Sequence, residues 1–400
     1  MNKIITLAVA FLLFIPFASI NGNNVSLTNN TNGNILYVGG SGPNNYTSIQ
    51  SAINDADNGY TIYVYAGIYR EHVRIYKPIN LIGEDEKTTI IDGMNETDVM
   101  VFSITADHVN FSHFTIRNIS GGEWTFGIKI ENGNHIEISN CIIKDCDGIG
   151  IFSTDNISIE NCNISHNYWG IDIRGGNNID IKNCTISYNP GKKDDNGWVG
   201  GFGISADGVS TRPISNIYIT NCSICHNGNT GIDILDIRTA SNVHISDCYV
   251  NSNGGKGGDG IWVSGGNISI SNCSISNSSH GIMIASDNAT IEKCVITNNY
   301  NGIIVMRKDK NIHITKNNIE NNTYGIYVWA MARSIFVNYN NIFNNGIGMK
   351  AEFSVCNARN NYWGSPFGPS HLFGLRGDKI QTTLAKVFYF PWLEEEYELG

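Results

Sequence analysis

Three aspartates, Asp172, Asp207 and Asp233, each follow a Gly-Ile phrase within a few residues and are separated by 35 and 26 positions. Paired carboxylates roughly 6.5–9.5 Å apart are what an inverting glycosidase needs, one as general acid and one as general base. Arg174 and Arg238 lie two residues from acids of the same neighbourhood, Asp172 and Asp236. An arginine beside carboxylates could instead serve a lyase or an epimerase. Trp262, Tyr327 and Trp329, with Trp198 in an expected loop between Asn189 and Gly201, are rings able to stack on sugar faces. The set of interest is therefore Asp172, Asp207 and Asp233 for catalysis, with Arg174, Trp198, Asp236, Arg238, Trp262, Tyr327 and Trp329 for carbohydrate binding.

These residues must be brought together by a repeat. Gly-Ile recurs ten times between Gly127 and Gly346, mostly every 21 to 23 residues. Between copies runs a second phrase, NISIENCNI from Asn156 or NIDIKNCTI from Asn178. Apolar residues alternate with polar ones, the period of a short strand and not of a helix. A unit of two or three short strands cannot bury its apolar side alone, so copies stack into a solenoid of parallel strands. The expected fold is all-β, a single-stranded parallel β-helix of about twelve coils. The residue after each Gly-Ile and the one two further on point outward from one face. Acids on that face concentrate at Asp172, Asp207 and Asp233, beside the longer intervals Asn189–Gly201, Ala206–Asn216, Leu235–Asn242 and Asn251–Gly260.

The solenoid needs closed ends, because open strand edges invite pairing with other chains. Ser48 reads as the N-cap and Gly59 as the stop of a short capping helix in SIQSAINDAD. An aromatic cluster, Phe388, Tyr389, Phe390 and Trp392, follows Pro366 and Pro369 and supplies a C-terminal cap. The expected organisation is 1–20 signal peptide or N-terminal anchor, 21–34 flexible tether, 35–370 β-helix and 371–400 cap. Lys3 followed by the apolar run Ile4–Ile20 carries the first assignment. The chain is expected to be secreted or held at a cell surface or in a periplasm, with a membrane tether as one option.

Charge and cysteine usage narrow the partners. A formal net charge of −10 leaves no basic stripe for phosphates, so nucleic acid is excluded as a partner. Of the ten cysteines, Cys141, Cys162, Cys184, Cys222, Cys248, Cys273 and Cys294 share one slot of successive coils, with Asn318 and Asn341 taking it next. One slot per coil means one inward column, where free cysteine acts as a small hydrophobe. Asn24, Asn29, Asn45 and Asn95 are the more credible glycosylation sites.

The repeats resemble those of right-handed parallel β-helix proteins, the pectate-lyase-like superfamily and NosD-like surface or periplasmic proteins. The resemblance rests on the Gly-Ile and Asn-Cys-x-Ile phrases, on the opening from Tyr46-Thr-Ser-Ile-Gln to TIIDG, and on the ending NNYWGSPFGPS followed by FPWL. It implies the right hand, in keeping with the general rule for parallel crossovers. It transfers no catalytic set. The signatures of alginate epimerases, pectin methylesterases and polygalacturonases are not present in full, and Ser279-His280-Gly281 is a distant echo of the last. No resident cofactor is expected; calcium is an option at Asp194-Asp195-Asn196-Gly197, and His and Met form no copper cluster. Binding of extracellular polysaccharide along one face is the leading reading. A glycoside hydrolase or polysaccharide lyase, and a structural surface module, are the alternatives.

Overall fold

A computed structural model describes residues 35–94, 102–119, 125–194, 197–208, 212–235, 242–254, 257–306, 308–329, 331–370 and 377–398. Asp236, Arg238, Asp195 and the segments expected to be signal and tether lie outside these residues. Each coil has three short strands, such as Ile171–Arg174, Gly176–Lys182 and Thr185–Ser187. They pair in parallel with their counterparts one coil on, making a Gly-Ile face, an Asn-Ile face and a third face after the cysteine slot. The architecture is the expected parallel β-helix. Register holds through the long intervals: Ile171, Ile204, Ile232, Ile261, Ile282, Ile303 and Ile326 pair in sequence.

The Gly-Ile face has 13 described rungs, from Val73–Ile75 to Gly377–Thr383, so about twelve coils falls one short. The additional rung is the last. It contains no Gly-Ile phrase, yet it pairs Met349 with Ile380 and carries parallel pairing past residue 370. The tenth Gly-Ile phrase is also displaced. Ile326 pairs with Met349, not Ile347, so Gly348 occupies the slot expected for Gly346.

Close packing between coils explains the repeated residues. A Cβ on Gly170 would collide with the carbonyl oxygen of Gly203 in the next coil, so only glycine fits that approach. Ile171, Ile173, Ile179, Ile181 and Ile186 line the interior with no exposed area. Asn156, Asn161, Asn178 and Asn183 take left-handed corner conformations, with φ between 54° and 58°, which asparagine tolerates better than other non-glycine residues.

All ten cysteines are free and buried. The column from Cys141 to Cys294 is continued by Asn317 and Asn340, not by Asn318 and Asn341. The Cys294 amide donates to Asn317 Oδ1 at 2.9 Å, and the Asn317 amide donates to Asn340 Oδ1 at 3.0 Å. A second asparagine ladder runs at the corner after the third strand, as Asn167–Asn189–Asn227–Asn253 and, after Ser278, Asn299–Asn322–Asn345 ending on Asp378. Each side chain replaces a backbone partner that the turn cannot supply.

The N-terminal helix, Ile49–Asp55, is capped by Ser48, whose hydroxyl accepts from the Ser51 amide at 3.2 Å. Glu71 accepts from the amides of Ile49 and Gln50 at 2.8 and 3.0 Å. The helix ends at Asp55, short of Gly59, because Ala56 turns extended and leads the chain into the next strand. At the other end Tyr389 stacks on Trp392, whose indole donates to the Pro366 carbonyl at 3.1 Å.

Candidate functional site

The Gly-Ile face carries the three aspartates singled out by the sequence. Column pairing runs Asp172, Ser205, Asp233, Trp262, Met283, Ile304 and Tyr327 over successive rungs. Two residues along, Arg174 pairs with Asp207 and Asp207 with Leu235. Asp172, Asp207 and Asp233 therefore lie on one face of three consecutive coils. Asp207 and Asp233 are one rung and two residues apart, which is about 8 Å between Cα atoms.

Their environments differ. Asp172 has no exposed side-chain area, and both its oxygens accept from Arg174 Nε, at 3.0 and 3.1 Å. Burial raises its pKa against the pull of Arg174, and Asp207 adds to the rise. The guanidinium in turn lies 5.8 Å from the centre of the Trp169 ring. Asp207 is half-buried. Asp233 is 5% exposed, and its Oδ1 has no hydrogen-bond partner. Burial pushes its pKa up to about 7, with the charges of Asp259 and Asp207 adding to the effect.

Two other acids are also raised, buried Asp309 to about 7 and half-buried Asp378 to about 6. Both, however, cap turns: Asp309 accepts from the Met306 amide and Asp378 from the Asn345 amide. No turn amide among the described residues donates to Asp233 in this way, and its Oδ1 is unpartnered. A desolvated acid with a pKa near neutrality and a free oxygen can hold a proton and hand it on.

Residues immediately before the Gly-Ile phrase complete the site, and they are absent from the set expected on sequence. In this position Trp169 stacks on Phe202 with ring centres 5.3 Å apart. Two rungs on, Asp259 Oδ1 lies 2.5 Å from His280 Nδ1, and His280 pairs in register with Asn301. Asn301 is 4% exposed and its Oδ1 is without a partner, as is the buried Nε1 of Trp262. A signal exists in the chain: Trp169, Phe202, Asp259, His280 and Tyr324 all precede a Gly-Ile.

Of the expected binding residues, Trp262 adjoins Asp233, while Tyr327 is three rungs further along, under Lys350 Nζ at 4.3 Å from its ring centre. Trp329 lies just beyond its strand and is 42% exposed. Trp198 belongs to a two-stranded hairpin, Lys192–Asp194 with Gly197–Val199, not a plain loop. Among the described residues no three His, Cys, Asp or Glu side chains are grouped to hold a metal ion. A cavity of about 550 Å³ opens elsewhere, on the Asn-Ile face near the C-terminus, lined by Met331, Phe336, Phe353, Val355, Arg359 and Phe388 among others. It has no carboxylate, so we place the candidate chemistry at Asp233.

The chain belongs to the family described as right handed beta helix region, whose model matches residues 99–267 and 259–365, about two thirds of its length. A probable pectinesterase/pectinesterase inhibitor 7 of Arabidopsis thaliana is 26% identical over 168 residues, covering 32% of this chain and 29% of that protein. The chain thus spans less than a third of that relative's length. Among solved structures, PfbA, a surface adhesin of Streptococcus pneumoniae, superposes with a TM-score of 0.52 at 14% identity over 85% of this chain and 87% of that one. The Dettilon tailspike protein gives 0.52 at 12% identity, over 87% of this chain and 68% of that one. Such likeness is one of fold.

Proposed function

We propose that the protein acts on an extracellular or cell-surface polysaccharide laid along the Gly-Ile face and cleaves it by hydrolysis. The observation that carries this is Asp233, an almost buried carboxyl with a pKa near 7 and an unpartnered oxygen, beside half-buried Asp207. Asp233 donates its proton to the glycosidic oxygen as the bond to the anomeric carbon breaks. Water attacks that carbon, and Asp207 takes the water's proton; water is consumed and one new reducing end appears. Cα atoms about 8 Å apart allow the two carboxyls to lie within the roughly 6.5–9.5 Å that an inverting mechanism needs. Asp172, shut away from solvent, is a positioning residue that holds Arg174. A relative named as a probable pectinesterase agrees with a polysaccharide partner.

Reducing-end release from a polysaccharide panel tests this reading. Asp233→Asn is expected to lower the rate by about 10²–10⁴-fold, the usual contribution of a general acid. Binding without release by the unaltered protein would instead make it a carbohydrate-binding surface module. Release that survives both Asp233→Asn and Asp207→Asn would eliminate the assignment.

A further inference from the structure

We infer that the glycan taken at the Asp233 site is neutral, without carboxylate groups on the sugars that sit over the acid cluster. This deepens the proposed function and rests on the Gly-Ile face being the glycan surface. Between its two end rungs, which carry Arg74 and Lys379, three cations described along that face are each matched by a carboxylate of their own. Lys129 Nζ is 2.8 Å from Glu131, Arg174 Nε 3.0 Å from Asp172, and Lys350 Nζ 2.9 Å from Glu352. The middle of the face adds Asp207, Asp233 and Asp259, with His280 set against them among the described residues. A uronate placed there would meet the carboxylates of Asp207 and Asp259, with Asp233 keeping the proton it must donate and the neighbouring guanidinium already committed to Asp172. Like charges brought together in a partly desolvated site repel strongly.

What the face does offer suits hydroxyls and ring faces. Trp262 Nε1 is a buried donor and Asn301 Oδ1 a buried acceptor, both unpartnered, one rung after Asp233 and one rung after His280 respectively. Leaving such groups unmatched costs stability, and a sugar hydroxyl can satisfy either of them. Trp262 and the Trp169–Phe202 stack supply apolar ring surfaces on both sides of the acids. One donor, one acceptor and flanking rings form a site for a neutral sugar.

The experiment compares retention and cleavage of an array of neutral glycans, together with polygalacturonate and its carboxyl-reduced counterpart, by the unaltered protein and Asp233→Asn. We expect at least one neutral polymer to be retained, and carboxyl-reduced polymer to be held at least tenfold better than polygalacturonate. Trp262→Phe, which deletes the indole donor and keeps a ring, should weaken neutral retention about tenfold. Equal or better retention of polygalacturonate, or no retention of any neutral glycan, overturns the inference. The two proposals fail separately. Asp233-dependent cleavage of polygalacturonate would leave hydrolysis standing and remove neutrality, whereas neutral binding without cleavage would do the reverse.

Discussion

Asp233 is held in surroundings that favour its protonated form, and that has a thermodynamic signature apart from activity. Its pKa rises from 3.8 to about 7 on folding, so the folded chain binds this proton more tightly than the unfolded one. The resulting stabilisation is fully present below about pH 4 and is lost as pH rises through 7. Ionised Asp233 should therefore cost the fold on the order of 2–4 kcal/mol above pH 7, since each tenfold change in proton affinity is worth roughly 1.4 kcal/mol. Thermal unfolding of Asp233→Asn and the unaltered protein should show the variant gaining relative stability from pH 5 to 8. Parallel curves across that range would mean that Asp233 titrates as an ordinary surface acid. Cleavage, in turn, should fall about tenfold per pH unit above 7, the limb of an acid that must carry its proton.

At the level of the elements, asparagine corners link neighbouring coils beside the strand ladders. Asn322 ties neighbouring coils together: its Oδ1 accepts from the Asn299 amide at 2.9 Å, and its Nδ2 donates to Ile296 and Glu320 carbonyls at 3.0 and 2.9 Å. Asn322→Ala strands these buried groups and should destabilise the protein by about 1–3 kcal/mol in chemical unfolding. A change under about 0.5 kcal/mol would show the ladder to be dispensable. The buried cysteines, inside and outside the column, make a second expectation. Burial pushes the Cys146 thiol up to about 12 and Cys356 up to about 11. A thiol reagent should find none of the ten cysteines in the native protein and all ten after denaturation; rapid native labelling would contradict the buried columns. The strand period, the cysteine slot and the Asp residues of the Gly-Ile face are legible in the sequence, because each has a recurring place in a repeated phrase: the cysteines after phrases like Asn-Ile-x-Ile-x-x, the aspartates two or four residues after the glycine. Less legible is whatever depends on pairing across coils. The slip from Asn318 to Asn317 arises because a repeated Asn-Asn doublet does not say which member turns inward. Gly346 is displaced for a similar reason: two Gly residues two apart compete for one slot, and the neighbouring rung chooses Gly348. Nor could outward position reveal that Asp172 would be sealed under Arg174 while Asp233 kept a buried oxygen without a hydrogen-bond partner.

Over the whole solenoid, the Gly-Ile face keeps register through every insertion, so side chains far apart in sequence form one continuous strip. From the Trp169 rung to the Tyr327 rung is six steps, about 29 Å at ~4.8 Å each, with the acids in its first half and the Tyr324, Tyr327 and Lys350 group at its end. A linear polymer, not a compact ligand, matches that shape. The most direct test is a crystal structure of Asp233→Asn with an oligosaccharide that the protein retains. The sugar chain should lie along the Gly-Ile face, with one ring over Trp262 and a glycosidic oxygen within hydrogen-bonding distance of residue 233. A chain bound on the Asn-Ile face, in the cavity beside Phe353 and Phe388, would contradict a Gly-Ile glycan surface.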